Sequence, residues 1–175
     1  MNSILRRIII GAGVVAAPAI YNAARHVIDN KIRNTVSRPI VGGIVYCDLY
    51  TATHSGIYVG DGNIVHLDGD GIIVKTSADT FMKRLDGRNT ARSVYTFCIG
   101  KDPVGIADAA AYAEEQVGRR VKYKLVQNNC HRFTASCLRG EDIPGSYLLL
   151  RAIKNIHDEK TGKSIGRVWN WRYQS

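Results

Sequence analysis

The 175-residue chain has no CxxC pair, no zinc-finger spacing, no internal repeat and no low-complexity run. Its four cysteines, Cys47, Cys98, Cys130 and Cys137, therefore give no sign of a paired-cysteine metal site, and a chain this long does not need disulfide staples. Cys47 and Cys98 stand in apolar, strand-like runs and read as small buried hydrophobes. Cys130 and Cys137 are seven apart, so one helix would put them on a shared face but too far apart to bridge. Acidic residues are scarce at the start, where Asp29 alone opposes Arg6, Arg7, Arg25, Lys31, Arg33 and Arg38. That stretch supplies about +5 of the +9 net charge. No base-reading motif or RNA-binding aromatic signature accompanies the charge, so no nucleic acid partner is expected and an anionic membrane fits better.

What is present suffices for one domain with a tail: 45% hydrophobic and 22% charged residues support a packed core. Residues 8–24 carry no charge and follow Arg6 and Arg7. They are short for a spanning helix and contain Gly11, Gly13 and Pro18. A secretory signal with Ala17-Pro18-Ala19 as its exit, an interfacial helix and a packed arm all remain open. We expect residues 1–28 to associate with a membrane, on its cytoplasmic side in the simplest case, or to export the protein if they are a signal. Residues 29–41 then form a linker, 42–140 a catalytic domain and 141–175 a helical and aromatic extension.

Strand signals come first. Ile44–Cys47 is followed by a hairpin from His54 to Asp68 around Asp61-Gly62, and then by Ile72–Val74 and Ser93–Ile99. Helix signals follow. Ser77 caps a short helix through Met82; Asp102 and Pro103 open one that stops at Gly118, with Ile106, Ala110, Ala113 and Val117 as its buried stripe. Asn129 opens a helix that stops at Gly140, and Ser146 caps another over 146–157. Strands before helices predict an α+β fold with an antiparallel sheet packed against helices.

The chemistry lies in His54, His66 and Cys130. Asn128 or Asn129 as N-cap leaves Cys130 in a first helical turn, where peptide dipoles favour the thiolate. His54 is the candidate base, with His66 orienting its ring. A strict two-residue turn at Asp61-Gly62 pairs Ile57 with His66 and puts the two imidazoles on opposite faces, so the constellation requires a bulge between them. Two other uses of these residues stay open: structural histidines with an inert thiol, and a zinc site from His54, His66, Cys130 and His131, although no pair has local ligand spacing. No metal or cofactor is expected. Tyr50 is a candidate side-chain donor to an oxyanion beside the backbone N–H of Cys130.

At these residues the chain resembles the lecithin:retinol acyltransferase-like family, including its small phospholipase/acyltransferase members. These are relatives of the NlpC-type peptidases with a permuted papain-like fold. The resemblance rests on His54, Tyr58-Val59-Gly60-Asp61-Gly62 and His66-Leu67. It continues through Ala113-Glu114-Glu115-Gln116-Val117-Gly118, Tyr123-Lys124-Leu125 and Asn129-Cys130-His131-Arg132-Phe133, covering about residues 42–140. It implies Cys130 as nucleophile, His54 as general base and His66 as orienting residue, with the nucleophile at a helix N-terminus. It also implies a thioester acyl-enzyme formed from phospholipid and resolved by an amine, alcohol, lysolipid or water. A cysteine amidase of the NlpC type and a non-catalytic module that keeps the fold are the alternatives. Tyr50, Tyr58, His131 and Arg132 are the candidate substrate-binding residues. Two features depart from the family: His131-Arg132 stands where it has Glu-His, making the neighbourhood more positive, and the apolar stretch is N-terminal.

Overall fold

Asp61 and Gly62 take φ of 49° and 76°, the left-handed pair that a tight hairpin turn needs to match the strand twist. They join β2 (Thr53–Gly60) to β3 (Asn63–Leu67). The computed structural model describes residues 38–48, 52–83, 91–122 and 129–171. It also describes Ile20, Tyr21, Ala23, Ala24, Val27 and Ile28, which are helical. The apolar stretch up to residue 19, most of the linker, Tyr50, the Tyr123-Lys124-Leu125 motif, Asn128 and Tyr173 lie outside the described residues. Among those described, no helix is long and apolar enough to cross a membrane.

The remaining strands are β1 (Ile44–Asp48), β4 (Ile73–Ser77), β5 (Val94–Ile99), β6 (Asp102–Pro103) and β7 (Ile165–Trp169). They form one seven-stranded sheet in the order β4-β3-β2-β1-β5-β6, with β7 on β5, and every pairing is antiparallel. The helices are α1 (Ala78–Met82), α2 (Ala107–Glu115), α3 (Cys130–Arg139) and α4 (Leu150–Thr161). The fold is α+β, an antiparallel sheet packed against helices in the permuted papain-like manner.

Strand alternation separates two cores. Ile44, Tyr46, Ile57, Val65, Leu67, Tyr95, Phe97 and Val168 face Ala109, Ala113, Phe133, Leu138, Ile153 and Ile156 of α2, α3 and α4. The opposite face carries Val45, Cys47, Tyr58, Ile64, Val94 and Trp169, and α1 covers it with Ala78, Phe81 and Met82.

Local signals held where the capping chemistry is local. The Ser77 hydroxyl accepts from Thr80 N at 3.4 Å, Asn129 Oδ1 accepts from Arg132 N at 2.9 Å, and Gly140 closes α3 at φ 76°. Three expectations need correction. Asp102 and Pro103 do not start a helix: they pair with Ile99 and Cys98 as β6, and α2 begins only at Ala107, without a side-chain cap. Its stripe is Ala109, Ala110 and Ala113, while Val117 is exposed beyond its end. Ser146 is not the cap, because α4 begins only at Leu150, with Leu149 at its N-cap and no side-chain cap hydrogen bond. Finally, the C-terminal stretch contains a strand, since Ile165–Trp169 pairs along β5 and sinks Trp169 into the second core.

Candidate functional site

The hairpin contains the bulge that the two histidines require. Gly60 pairs with Asn63, but the next pairs are Tyr58 with Ile64 and Ile57 with Val65, so the register shifts between Tyr58 and Gly60. Val59 is the extra residue, and Gly60 (φ 100°) absorbs the kink. The shift moves His66 to the face that carries His54 and Tyr58. His54 Nε2 then stands 3.1 Å from His66 Nδ1, with ring centroids 4.9 Å apart and nearly perpendicular.

Gly56 makes this approach possible. A β-carbon there would lie 2.7 Å from Val65 O, 2.8 Å from Ile64 Cγ2 and 3.0 Å from His66 Cβ. Without one, His66 closes over the gap toward His54. Phe81 of α1 then seals the pair, stacked on His54 at 4.5 Å and edge-on to His66 at 5.0 Å. His66 Nε2 is 3.0 Å from Thr76 Oγ1. With Thr76 accepting from Nε2–H, the other nitrogen of His66 accepts from His54, so the three side chains form one directed chain. Both rings are buried.

Cys130 is the first residue of α3, directly after the Asn129 cap. The backbone N–H groups of such a first turn lack intrahelical acceptors and give the position a positive potential. The sulfur lies 4.0 Å from the carbonyl oxygen of Thr53, the residue before His54. That contact sets the start of α3 against the start of β2. The described cysteines Cys47, Cys98, Cys130 and Cys137 are all buried. Burial pushes the Cys98 thiol up to about 11 and raises that of Cys137 as well, which leaves both inert.

His131 turns away from the pair. Its Nδ1 is 2.6 Å from Ser55 Oγ and its Nε2 is 2.8 Å from Thr53 Oγ1, on the helix-packed face of β2. Ser55 Oγ also meets Thr134 Oγ1 at 3.0 Å, and Thr134 donates to the Cys130 carbonyl at 2.9 Å. His131 therefore staples the start of α3 to β2. Burial lowers its pKa to about 4, so it is neutral near pH 7 and adds no positive charge beside the thiol. Arg132 donates from Nε to Ile143 O at 2.7 Å and pairs with Asp142 at 2.8 Å. It lines a cleft of about 220 Å³ with Arg119 and Asp142 at the rim and Leu67, Ile73 and Phe133 among its apolar residues. Tyr58 is buried, packs edge-on against Trp169 at 5.3 Å and accepts from Gly62 N, so its ring braces the hairpin from below.

Sequence reasoning did not find Thr53, Ser55, Thr76, Phe81 or Thr134 as parts of this arrangement, and took Gly56 only as easing a bulge. Only Gly56 left a signal, as a side-chain gap between strand residues. The others depend on pairings between distant segments.

The antiparallel sheet packed against helices defines an α+β protein of the permuted papain-like kind. The lecithin retinol acyltransferase family model matches residues 37–143, more than half of the chain, and the chain belongs to that family. It is 28% identical over 117 residues to mouse phospholipase A and acyltransferase 3, covering 59% of this chain and 71% of that protein. It is also 30% identical over 102 residues to the genome polyprotein of avian encephalomyelitis virus strain L2Z, covering 58% of this chain. The matched segment spans only 4% of the viral polyprotein's own length.

Proposed function

We propose that the protein is a thiol acyltransferase and phospholipase that carries an acyl group from a phospholipid on Cys130. The observation that carries this reading is the 3.1 Å contact between His54 and His66 at the strand end where the α3 cysteine arrives. With Nε2 of His54 directed at His66, Nδ1 is the nitrogen that serves the thiol. It takes the Cys130 proton as the sulfur attacks the ester carbonyl carbon. The carbon–oxygen bond to the glycerol breaks, and the His54 imidazolium returns the proton to the departing alkoxide, releasing lysophospholipid.

Cys130 then holds a thioester. Water, a lysolipid hydroxyl, another alcohol or an amine attacks that carbonyl and gives its proton to His54; the thiolate leaves and is reprotonated. His66 orients the ring and accepts from the imidazolium, helped by Thr76. First-turn N–H groups of α3 supply the nearest oxyanion donors, and the 220 Å³ cleft, where Arg119 and Arg132 share Asp142, is the candidate headgroup site.

The test is mass spectrometry of the full chain after incubation with mixed bacterial phospholipids, comparing wild type with Cys130→Ala. The expected result is an acyl adduct on the Cys130 peptide that hydroxylamine removes and that the variant lacks. No adduct with any lipid class, alongside intact folding, would overturn the reading.

A further inference from the structure

The segment after α3 exposes two leucines that neither the core nor the helix requires. Ile143 is buried, its carbonyl held by Arg132 Nε at 2.7 Å and its N–H by Ser136 Oγ at 3.2 Å. Tyr147 and Leu150 also pack on the main core. These three anchors satisfy the local demand for burial, yet Leu148 and Leu149 between them are 52% and 68% exposed. Leu149 occupies the N-cap of α4, where a serine or aspartate would be worth about 1 kcal/mol more. Helix chemistry therefore does not explain it.

The charge beside the pair has one sign. From Ile143 to His157 the chain carries Arg151 and Lys154 and no carboxylate. Lys154 is spent on Asp158, whereas Arg151 is exposed and has no ion-pair partner among the described residues. A cation in a first helical turn opposes the helix dipole, so Arg151 is not there to stabilise α4. Adjacent exposed leucines with an unspent cation beside them match an anionic bilayer, whose surface attracts basic residues and whose interior accepts apolar side chains.

We propose that Leu148 and Leu149 insert into an anionic phospholipid surface, with Arg151 seated among the headgroups. This deepens the lipid-enzyme reading above and rests on it. Leu148 and Leu149 stand five and six positions beyond Ile143, so the pair lies within about 22 Å of the point where Arg132 of the nucleophile-bearing helix holds the chain. Docking there brings α3 to the bilayer whatever residues 1–28 do.

The test uses the full chain and vesicles of phosphatidylcholine alone or equimolar with phosphatidylglycerol. Leu148→Trp places an indole at the site, read by quenching with brominated lipid against the wild-type background. Its quenching on anionic vesicles is the expected result. A bound protein whose added indole stays unquenched would overturn the proposal, assigning binding to the N-terminal segment or showing that another part of the chain covers the leucines. Leu148→Ser with Leu149→Ser should weaken anionic-vesicle binding by about tenfold or more. Arg151→Glu should weaken it several-fold on the mixed vesicles only.

Both leucines are exposed, so these variants fold. Hydrolysis of a monodispersed short-chain phosphatidylcholine should be unchanged in the double serine variant. Loss of that hydrolysis would place the leucines in the reaction site and sink the proposal. So would a wild-type dimer in sedimentation velocity that the double variant abolishes. Failure of the wild type to cleave any lipid, with the indole quenched normally, would count against the enzymatic reading and not against docking.

Discussion

Replacing His131 with Gln tests how the start of α3 is held on β2. In the folded protein both ring nitrogens face hydroxyls, Ser55 at 2.6 Å and Thr53 at 2.8 Å, and burial lowers the pKa from the ordinary 6.5 to about 4. The unfolded chain titrates near the ordinary value. Above that value the ring is neutral in both states, and its hydrogen bonds contribute fully. As pH falls from 6.5 toward 4, the unfolded state takes up a proton that the folded state refuses, and stability drains away. At 1.36 kcal/mol per pKa unit the loss is about 2 kcal/mol near pH 5 and about 3 kcal/mol once both states are protonated. The His131→Gln variant loses the ring's hydrogen bonds, at about 1 kcal/mol each, but also loses this acid sensitivity. Urea unfolding across the range from about pH 7.5 to about pH 5 should show wild type the more stable at the upper end, with the two proteins converging toward acid. His157 and Asp158 titrate in both proteins, so the difference isolates His131. Parallel curves, with the same gap throughout, would refute the assigned burial and the staple with it.

Two further substitutions probe the histidine pair. Gly56→Ala forces a methyl against Val65 O and His66 Cβ and should cost about 1–3 kcal/mol, lowering Tm by several degrees and activity more steeply. An unchanged Tm and turnover would mean the hairpin does not need that gap. Thr76→Val removes the partner of His66 Nε2; kcat should fall about tenfold with KM unchanged, and Thr76→Ser should recover it. Equal kcat in all three proteins would remove Thr76 from the chain of hydrogen bonds.

The parts of the fold legible in the sequence were those whose determinants lie within a few residues. Asp61-Gly62, Ser77, Asn129 and Gly140 each fix a turn or a cap through local backbone geometry, and all four act as read. The failures share a cause as well. Asp102-Pro103 has the signature of a helix start, but pairing with the end of β5 claims it first. Ile165–Trp169 is short, with glycine and arginine inside it, and its strand character comes from β5 about 70 residues earlier. Within the site, the requirement for a bulge followed from strand periodicity, and the structure supplies it at Val59. The contacts of His131 with Ser55 and Thr53 join segments more than 70 residues apart, which no local pattern encodes. The residue read as added positive charge is for that reason a neutral fastener.

The kink at Val59 also limits how this hairpin can change length. Side chains on a strand alternate, so the loop between the histidines stores a choice of odd or even. Inserting or deleting a single codon between Tyr58 and Asn63 reverses that parity and sends one imidazole through to the wrong side of the sheet. Changes of two codons preserve it. The length of this turn is therefore expected to drift in steps of two, while its amino-acid identities vary more freely.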